Sequence, residues 1–204
     1  SIDSVTGLPE EWSYCPFLDV VGYVRGRSYS ADDLVDSANR DLVNLNNIAP
    51  FGGWQNGAEK PYSGTYNAEQ VVQGGDLVMA VTDMTKERRL VGHVGVVPRL
   101  SSGSIISMDL IKLVAEELVP NFLYGQLRYS GIASMISMLA NGTNVLHLKP
   151  ESVQLLCPSE KVQESYSEVI ESILSSIDCL NERIALLAEV RNRLLPKLME
   201  GGND

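Results

Sequence analysis

The residue types that most often carry enzyme chemistry are scattered along this chain rather than grouped. Cys15, Cys157 and Cys179 are widely separated and include no Cys-x-x-Cys pair, and His93 and His147 each stand alone. These spacings fit neither a structural zinc site nor a nucleophile with a neighbouring base. The chain also lacks the serine-hydrolase, zinc-protease and phosphate-loop signatures. The motif search therefore finds no catalytic residue.

Asp76 and Asp83 are the remaining candidates for metal chemistry, because they flank the apolar run Leu77–Val81. Carboxylate oxygens at two such positions could hold a divalent cation and activate water for hydrolysis. Aspartates at strand ends more often accept hydrogen bonds from the N–H groups of a turn. We favour this second interpretation and expect neither a metal nor any other cofactor.

Basic residues cluster in two places, although the formal net charge of the chain is −10. Arg25 and Arg27 lie together near the start. A second cluster, opposed only by Glu87, contains Lys86, Arg88, Arg89 and Arg99. An acidic chain is not expected to bind polyanions by bulk attraction, so solvated surface is the simplest interpretation of both clusters.

The composition is that of a folded protein, with 44% apolar and 21% charged residues. At 204 residues the chain can form one core of ordinary size with an appendage. No apolar run approaches the roughly 18 residues that cross a bilayer, and no secretory signal is recognisable. Isolated thiols are typical of a reducing cytoplasm, where Cys157 and Cys179 would be small apolar fillers.

The elements that must position these residues are mostly short strands. An opening strand is predicted over Trp12–Val24, a short helix after the cap Ser30, and strands over 77–81, 90–97 and 104–106, the first two paired. A helix is predicted over Pro120–Ala140, followed by strands at Val145–Leu148 and Val153–Cys157. This order indicates an α+β domain.

The last segment, Glu160–Met199, is predicted to be one long helix of roughly 60 Å. Its apolar residues recur at alternating steps of three and four, which is the spacing of a coiled-coil seam. They are Val162, Tyr166, Val169, Ile173, Ile177, Leu180, Ile184, Leu187, Leu194 and Leu198. Two steps of four around Ile173 form a stutter. A stripe this long predicts a partner helix.

The order of these segments resembles one half of the specificity (S) subunit of a type I restriction-modification system. The stretches similar to family motifs are LPEEW at 8–12, GDLVMAVTDMT at 75–85, NGTNVLHL at 141–148 and RNRLLPKLMEG at 191–201. The chain departs from the family in its acidic charge and in residues 158–163. It also has one recognition domain and one helix where the usual subunit has two.

The resemblance implies an α+β fold, in which a globular target-recognition domain of short strands and a few helices precedes one long C-terminal coiled-coil helix. It places the DNA-binding domain at 9–158 and the conserved-region helix, a dimerisation and spacer element, at 159–199. Residues 1–8 are then a linker or expression remnant, and residues 200–204 are a tail.

In this family the recognition domain reads half of a bipartite DNA target, while cleavage and methylation belong to other subunits. The resemblance therefore implies a non-catalytic protein of the prokaryotic cytoplasm with no membrane partner. Its partners would be double-stranded DNA, the methyltransferase (M) and restriction (R) subunits, and a second copy or second repeat joined through the long helix, most simply as a homodimer. Such a chain needs no active site of its own.

Under this hypothesis, polar and aromatic loop residues become candidate DNA contacts. They are Arg25, Arg27, Trp54, Asn56, Lys60, Tyr62, Thr82, Thr85, Lys86, Arg88, Arg89, Asn141, Thr143 and Asn144. Each position also has an ordinary explanation as a surface turn.

Two other classes of function stay open on the sequence. A protein-interaction adaptor would recruit a partner through the coiled coil and bind peptide or protein with its globular domain, which suits the acidic charge. A metal-dependent hydrolase would use Asp76 and Asp83.

Overall fold

Residues 2–4, 6–83, 87–98, 103–139 and 153–200 are described by the computed structural model, with residues 197, 198 and 200 described in their backbone only. The chain divides into two compact units, Ser1–Ser167 and Glu168–Asp204. No helix among the described residues is long and apolar enough to cross a membrane.

Short strands dominate the first unit. They are β1 (Ser13–Pro16), β2 (Val21–Arg25), β3 (Asp41–Val43), β4 (Lys60–Pro61), β5 (Val71–Val72), β6 (Leu77–Ala80), β7 (Val94–Val96), β8 (Ser104–Ile106), β9 (Leu110–Ala115) and β10 (Gln154–Cys157). The α-helices are α1 (Phe17–Val20), α2 (Pro120–Tyr129), α3 (Ile132–Leu139) and α4 (Glu160–Glu200). The α+β class and the long C-terminal helix are confirmed.

The strands form two four-stranded sheets and one two-stranded sheet. One sheet has the order β2-β9-β6-β7 and is antiparallel throughout. The other has the order β4-β3-β8-β5, in which β3 and β8 run parallel. In the small sheet β1 pairs with β10, so that Ser13 lies opposite Cys157. This pairing joins the beginning of the domain to the strand that precedes α4.

The main core draws side chains from both four-stranded sheets. Its fully buried members are Val43, Ile48, Val72, Val78, Ala80, Val97, Ile106 and Leu110. A smaller cluster of Leu42, Tyr62 and Ile105 lies in the β4-β3-β8-β5 sheet, with Tyr29 and Leu34 packed against it. Because both clusters use residues of β3 and β8, the parallel pair links the two parts of the core.

Most predicted elements are present. β6 and β8 confirm the strands predicted at 77–81 and 104–106, and β6 pairs with β7 as expected. The strand predicted over 90–97 is shorter than expected, because residues 90–92 belong to a turn and β7 begins at Val94. Ser30 caps a single 3₁₀ turn, Ala31–Asp33, with its backbone N–H and hydroxyl both donating to the Asp33 carboxylate. The helix predicted over Glu160–Met199 is confirmed as α4.

Two predicted elements are wrong in detail. The single strand expected over Trp12–Val24 is broken by α1, because a helical turn lets Phe17 and Val20 enter the core together. The helix expected over Pro120–Ala140 is interrupted at Gly131, whose φ of +84° is left-handed and separates α2 from α3. The strand predicted at Val145–Leu148 lies outside the described residues.

The three thiols are free. Cys157 is partly buried. Burial is the main cause that raises the pKa of its thiol to about 12, and the neighbouring Cys15 thiol is the second cause. A thiol in that state is a poor nucleophile, which agrees with the filler role expected for Cys157. The same expectation is wrong for Cys179, which is exposed on α4.

His93 precedes β7 as a buried residue, with 5% of its surface exposed. Its ring meets the Phe51 ring edge-on, with centroids 5.8 Å apart. Burial, helped by the nearby Arg128 guanidinium, lowers the pKa of His93 from its usual value, and the Asp83 carboxylate opposes this shift. The folded state therefore favours the neutral imidazole more strongly than the unfolded chain does.

This difference predicts a pH dependence of stability. The pKa of His93 is lower in the folded state than in the unfolded chain. The contribution of neutral His93 to the free energy of unfolding is therefore fully present above the unfolded pKa of about 6.5 and is lost as the pH falls through the folded pKa. The urea midpoint should therefore decrease between about pH 7.5 and about pH 5.5, and His93→Gln should reduce that decrease. Equal slopes for the two proteins would contradict this assignment.

Candidate nucleic-acid interface

Two turns of the first unit, residues 49–53 and 87–92, pack against each other, and we call them the paired turns. The Phe51 N–H donates to the Arg89 carbonyl at 2.8 Å. Within the first turn the Gly52 N–H donates to the Ala49 carbonyl, and the Gly53 N–H donates to the Val94 carbonyl, both at 2.8 Å. The backbone of the first turn is therefore tied both to the second turn and to β7.

The paired turns hold both of the non-glycine residues with positive φ among the described residues, Phe51 at 64° and Arg88 at 50°. Left-handed backbone is strained for side chains of this size. Strain of this kind persists where the surrounding structure imposes it, and it is concentrated at functional sites. The Phe51 N–H donates to the carbonyl of Arg89, the residue that follows the strained Arg88.

Helices α2 and α3 hold the paired turns in place. The Arg88 guanidinium donates to the Ser137 carbonyl at 3.0 Å, and the Ser137 hydroxyl donates to the Arg88 carbonyl at 3.3 Å. At Gly52, a Cβ atom would lie 2.8 Å from Cδ of Arg128. Glycine is favoured at this position by its φ of 96°, and any side chain there would displace the Arg128 side chain.

The charge of this surface is basic. Arg88, Arg89 and Arg128 lie on or beside the paired turns, and Arg89 has Glu87 at 3.8 Å with both side chains about half exposed. Asp83 adds little exposed negative charge, because it is buried and accepts hydrogen bonds from the N–H groups of Leu90 and Val91. The surface can meet anionic groups despite the acidic net charge of the chain.

The aspartates proposed for metal chemistry have structural roles. Asp76 forms an ion pair with Lys112 at 2.8 Å and accepts a hydrogen bond from the Gln73 N–H at 2.8 Å. Asp83 anchors the second of the paired turns. Within the described part of the chain, no group of three or more His, Cys, Asp or Glu side chains is placed to hold a metal ion. The strand-end interpretation of both residues is confirmed.

A second polar surface lies beside the β4-β3-β8-β5 sheet. The Arg27 guanidinium donates to the Thr65 hydroxyl at 2.9 Å. The Arg40 guanidinium lies 5.6 Å from the centre of the Tyr66 ring, beside an open groove of about 450 Å³ between residues 37–40 and 62–66. Arg27 therefore lies near this surface. Arg25 is exposed at the end of β2, and its carbonyl accepts a hydrogen bond from the Gln70 side chain at 3.1 Å.

Other predicted contacts are divided between surface and core. Asn56 and Lys60 are exposed. Thr82 donates its hydroxyl to the Asp109 carboxylate at 2.9 Å. Five predicted contacts lie outside the described residues: Thr85, Lys86, Asn141, Thr143 and Asn144.

One predicted aromatic contact, Tyr62, is buried and needs correction, and another, Trp54, is half-buried. Tyr62 is only 4% exposed, belongs to the smaller core cluster and donates its hydroxyl to the Thr65 carbonyl at 3.0 Å. Trp54 packs against the main core, and its ring nitrogen is buried without a hydrogen-bond acceptor. Tyr62 is therefore a packing residue, because burying its large apolar ring stabilises the core. Trp54 packs against the core and keeps part of its surface exposed, so its proposed contact stays a prediction.

The sequence search missed residues that the fold brings to these surfaces. Phe51 and Arg128 join the paired turns, and Arg40 and Tyr66 line the groove. The Gly52-Gly53 pair was a sequence signal for an unusual turn beside Phe51. No local signal links that turn to Arg128, because α2 is distant in the sequence.

The first two turns of α4 belong to the first unit. Gln163 is buried, with its side-chain oxygen accepting from the Val119 N–H at 2.9 Å and its side-chain nitrogen donating to the Pro158 carbonyl at 3.0 Å. Tyr166 packs edge-on against Phe122 with ring centroids 5.3 Å apart. A side chain at Gly125 would collide with the Tyr166 hydroxyl, so the small residue allows this close packing.

This packing divides the predicted seam. Tyr166 packs against Phe122 of the first unit, and Val162 is half-buried. Both seam positions therefore also pack within the first unit. From residue 168 onward the seam residues are exposed: Val169, Ile173, Ile177, Leu180, Ile184, Leu187 and Leu194. Ile184, for example, is 64% exposed. The side chain of Leu198 lies outside the described residues.

Arg191 occupies the seam position between Leu187 and Leu194. Its guanidinium donates to the Asn192 side-chain oxygen through two nitrogens, at 3.1 and 2.9 Å. A polar residue at a single seam position typically restricts the register and number of the helices that can pair.

Two curated relatives are similar to nearly the whole chain. The StySPI type I restriction enzyme specificity subunit of Salmonella potsdam is 23% identical over 209 residues, which cover 91% of this chain and 41% of that protein. The EcoKI specificity subunit of Escherichia coli K12 is 24% identical over 217 residues, 95% of this chain and 43% of that protein. The chain thus spans less than half the length of these bacterial relatives. No family model matches it.

Solved structures share the fold. The S subunit of a type I restriction-modification system from M. genitalium superposes with a TM-score of 0.61 at 14% identity, covering 91% of this chain and 44% of that one. The HsdS subunit of Thermoanaerobacter tengcongensis gives 0.56 at 17% identity, covering 88% and 41%. A chain of a type I R-M system complex gives 0.58 at 17% identity, covering 94% and 45%. In sequence and in fold, the chain is therefore a relative of the specificity subunits of type I restriction enzymes.

Proposed function

We propose that this chain is a DNA sequence-recognition subunit of a type I restriction-modification enzyme, and that it reads one half of a bipartite target. One observation carries the proposal: two type I specificity subunits are similar to more than nine-tenths of the chain. The chain matches somewhat under half of each relative, the extent expected of one recognition domain with one helix. Cleavage and methylation would then belong to the M and R subunits, and this chain would have no active site.

The paired turns support a role in DNA binding. A basic surface with Arg89 exposed on a rigid turn can contact phosphates, and phosphate contacts supply most of the salt-dependent affinity of DNA-binding proteins. Arg25 and Arg27 offer a second set of guanidinium groups. The remaining proposed contacts are Trp54, Asn56, Lys60 and Thr82 in the loops, with Thr85, Lys86, Asn141, Thr143 and Asn144.

The second unit supports a partner helix. Its exposed seam has the spacing of a coiled coil, and burying such a stripe against another helix removes many large apolar side chains from water. We propose that the occupant is the same seam of a second copy, or of a second repeat, paired antiparallel about a two-fold axis. The M and R subunits would dock on this assembly in the prokaryotic cytoplasm.

A protein-interaction adaptor remains the second candidate. The exposed seam fits it equally well, but the basic paired turns do not, because an adaptor has no need of a positive surface on an acidic chain. The two candidates differ in one measurable property, which is affinity for duplex DNA.

Binding to duplex DNA should fall steeply as salt rises, and Arg89→Ala should weaken it. Removing one phosphate contact is expected to lower the log–log salt slope by about 1. Fluorescence anisotropy with a labelled mixed-sequence duplex, starting at low salt, measures both quantities. Arg193→Ala on α4 removes the same charge and serves as the control, so an equal loss in both variants would count against the paired turns as the contact.

The second unit should form dimers. Light scattering at micromolar concentration is expected to give twice the chain mass, and Ile177→Glu with Ile184→Glu should give the monomer, because two carboxylates would be buried in the seam without partners. Ser175→Glu places one such carboxylate at an exposed position outside the seam and should leave the dimer intact. A monomeric wild-type chain would rule out stable self-association.

A further inference from the structure

Phe51 combines three properties that seldom occur together in a folded protein. The residue is 55% exposed, its backbone has a φ of 64°, and it lies on a turn with arginines nearby. Glycine and asparagine adopt this backbone conformation far more readily than an aromatic residue does. An exposed, strained aromatic residue calls for an explanation other than turn geometry.

Packing within the domain does not supply that explanation. The described ring contact of Phe51 is with His93, edge-on at 5.8 Å. The turn itself is held by backbone hydrogen bonds from Phe51, Gly52 and Gly53, which any residue could make at position 51 except proline. The phenyl ring is therefore not needed to form the turn.

The neighbours of Phe51 indicate the chemistry of a ligand. The residue that accepts its N–H bond is Arg89, and Arg128 packs over the adjacent Gly52. A ligand that fits this surface presents a flat apolar group to the ring and negative charge on either side. Duplex DNA has this arrangement, because its bases stack inside two rows of phosphates.

We propose that Phe51 is a wedge that stacks against an opened base step of duplex DNA, with Arg89 and Arg128 on the flanking phosphates. The inference rests on the proposed DNA-binding function and extends it with a new contact residue. The free energy needed to unstack a base step depends on its sequence. A protein with such a wedge therefore binds more tightly where the step is a flexible pyrimidine–purine step. The turn is held by β7 and contacted by α2. This rigidity suits the role, because a flexible turn would move aside before the two bases separate.

The test uses the full chain and two labelled duplexes of the same mixed sequence, one fully paired and one with a central one-nucleotide bulge. The bulge removes much of the cost of unstacking. Wild-type protein should bind the bulged duplex at least about fivefold more tightly, because less of the binding free energy is spent on opening the base step. Phe51→Asn should lose this preference, whereas Phe51→Tyr should keep it.

Tyr14→Asn removes another exposed aromatic ring, 59% exposed on β1, and should keep the preference. Thermal unfolding of Phe51→Asn should match or exceed that of the wild type, because asparagine tolerates the left-handed backbone. The wedge is overturned if the wild type does not distinguish the duplexes or if Phe51→Asn still does. A wild-type protein that binds neither duplex overturns the proposed function itself.

Discussion

The packing of the first two turns of α4 against α2 decides how the apolar residues of the long helix are used. Gln163 supplies hydrogen bonds to Val119 and Pro158, and Tyr166 closes over Gly125. Because of these contacts the start of the seam packs within the domain, whereas the described seam side chains from Val169 onward are exposed. The stutter at Val169–Ile177 therefore begins just where the seam residues stop packing within the domain.

The same pair of helices, α2 and α3, also fixes the paired turns. Arg88 is tied to Ser137, and Arg128 fills the space that a side chain at Gly52 would occupy. A surface built from strained turns is precise only if neighbouring elements impose its shape. The paired turns and the first two turns of α4 thus share one support, because α2 contacts both.

The sequence predicted elements well where one periodicity dominated, as in β6, β8 and α4. It failed at Trp12–Val24, where burial of Phe17 and Val20 on one helical turn outweighed strand propensity. Charge clustering located Arg27, Arg88 and Arg89 on polar surfaces. It could not show that Tyr62 is buried or that Arg128 meets Gly52, because both depend on contacts between segments far apart in the chain.

Exchange of residues 9–158 in a complete type I system, followed by sequencing of methylated sites in the cell, tests the central claim most directly. If this domain reads one half of a bipartite target, the exchange should change the bases of one half-site and leave the other half-site and the spacing between them unchanged. Methylation at the same sites before and after the exchange would contradict a role in sequence recognition.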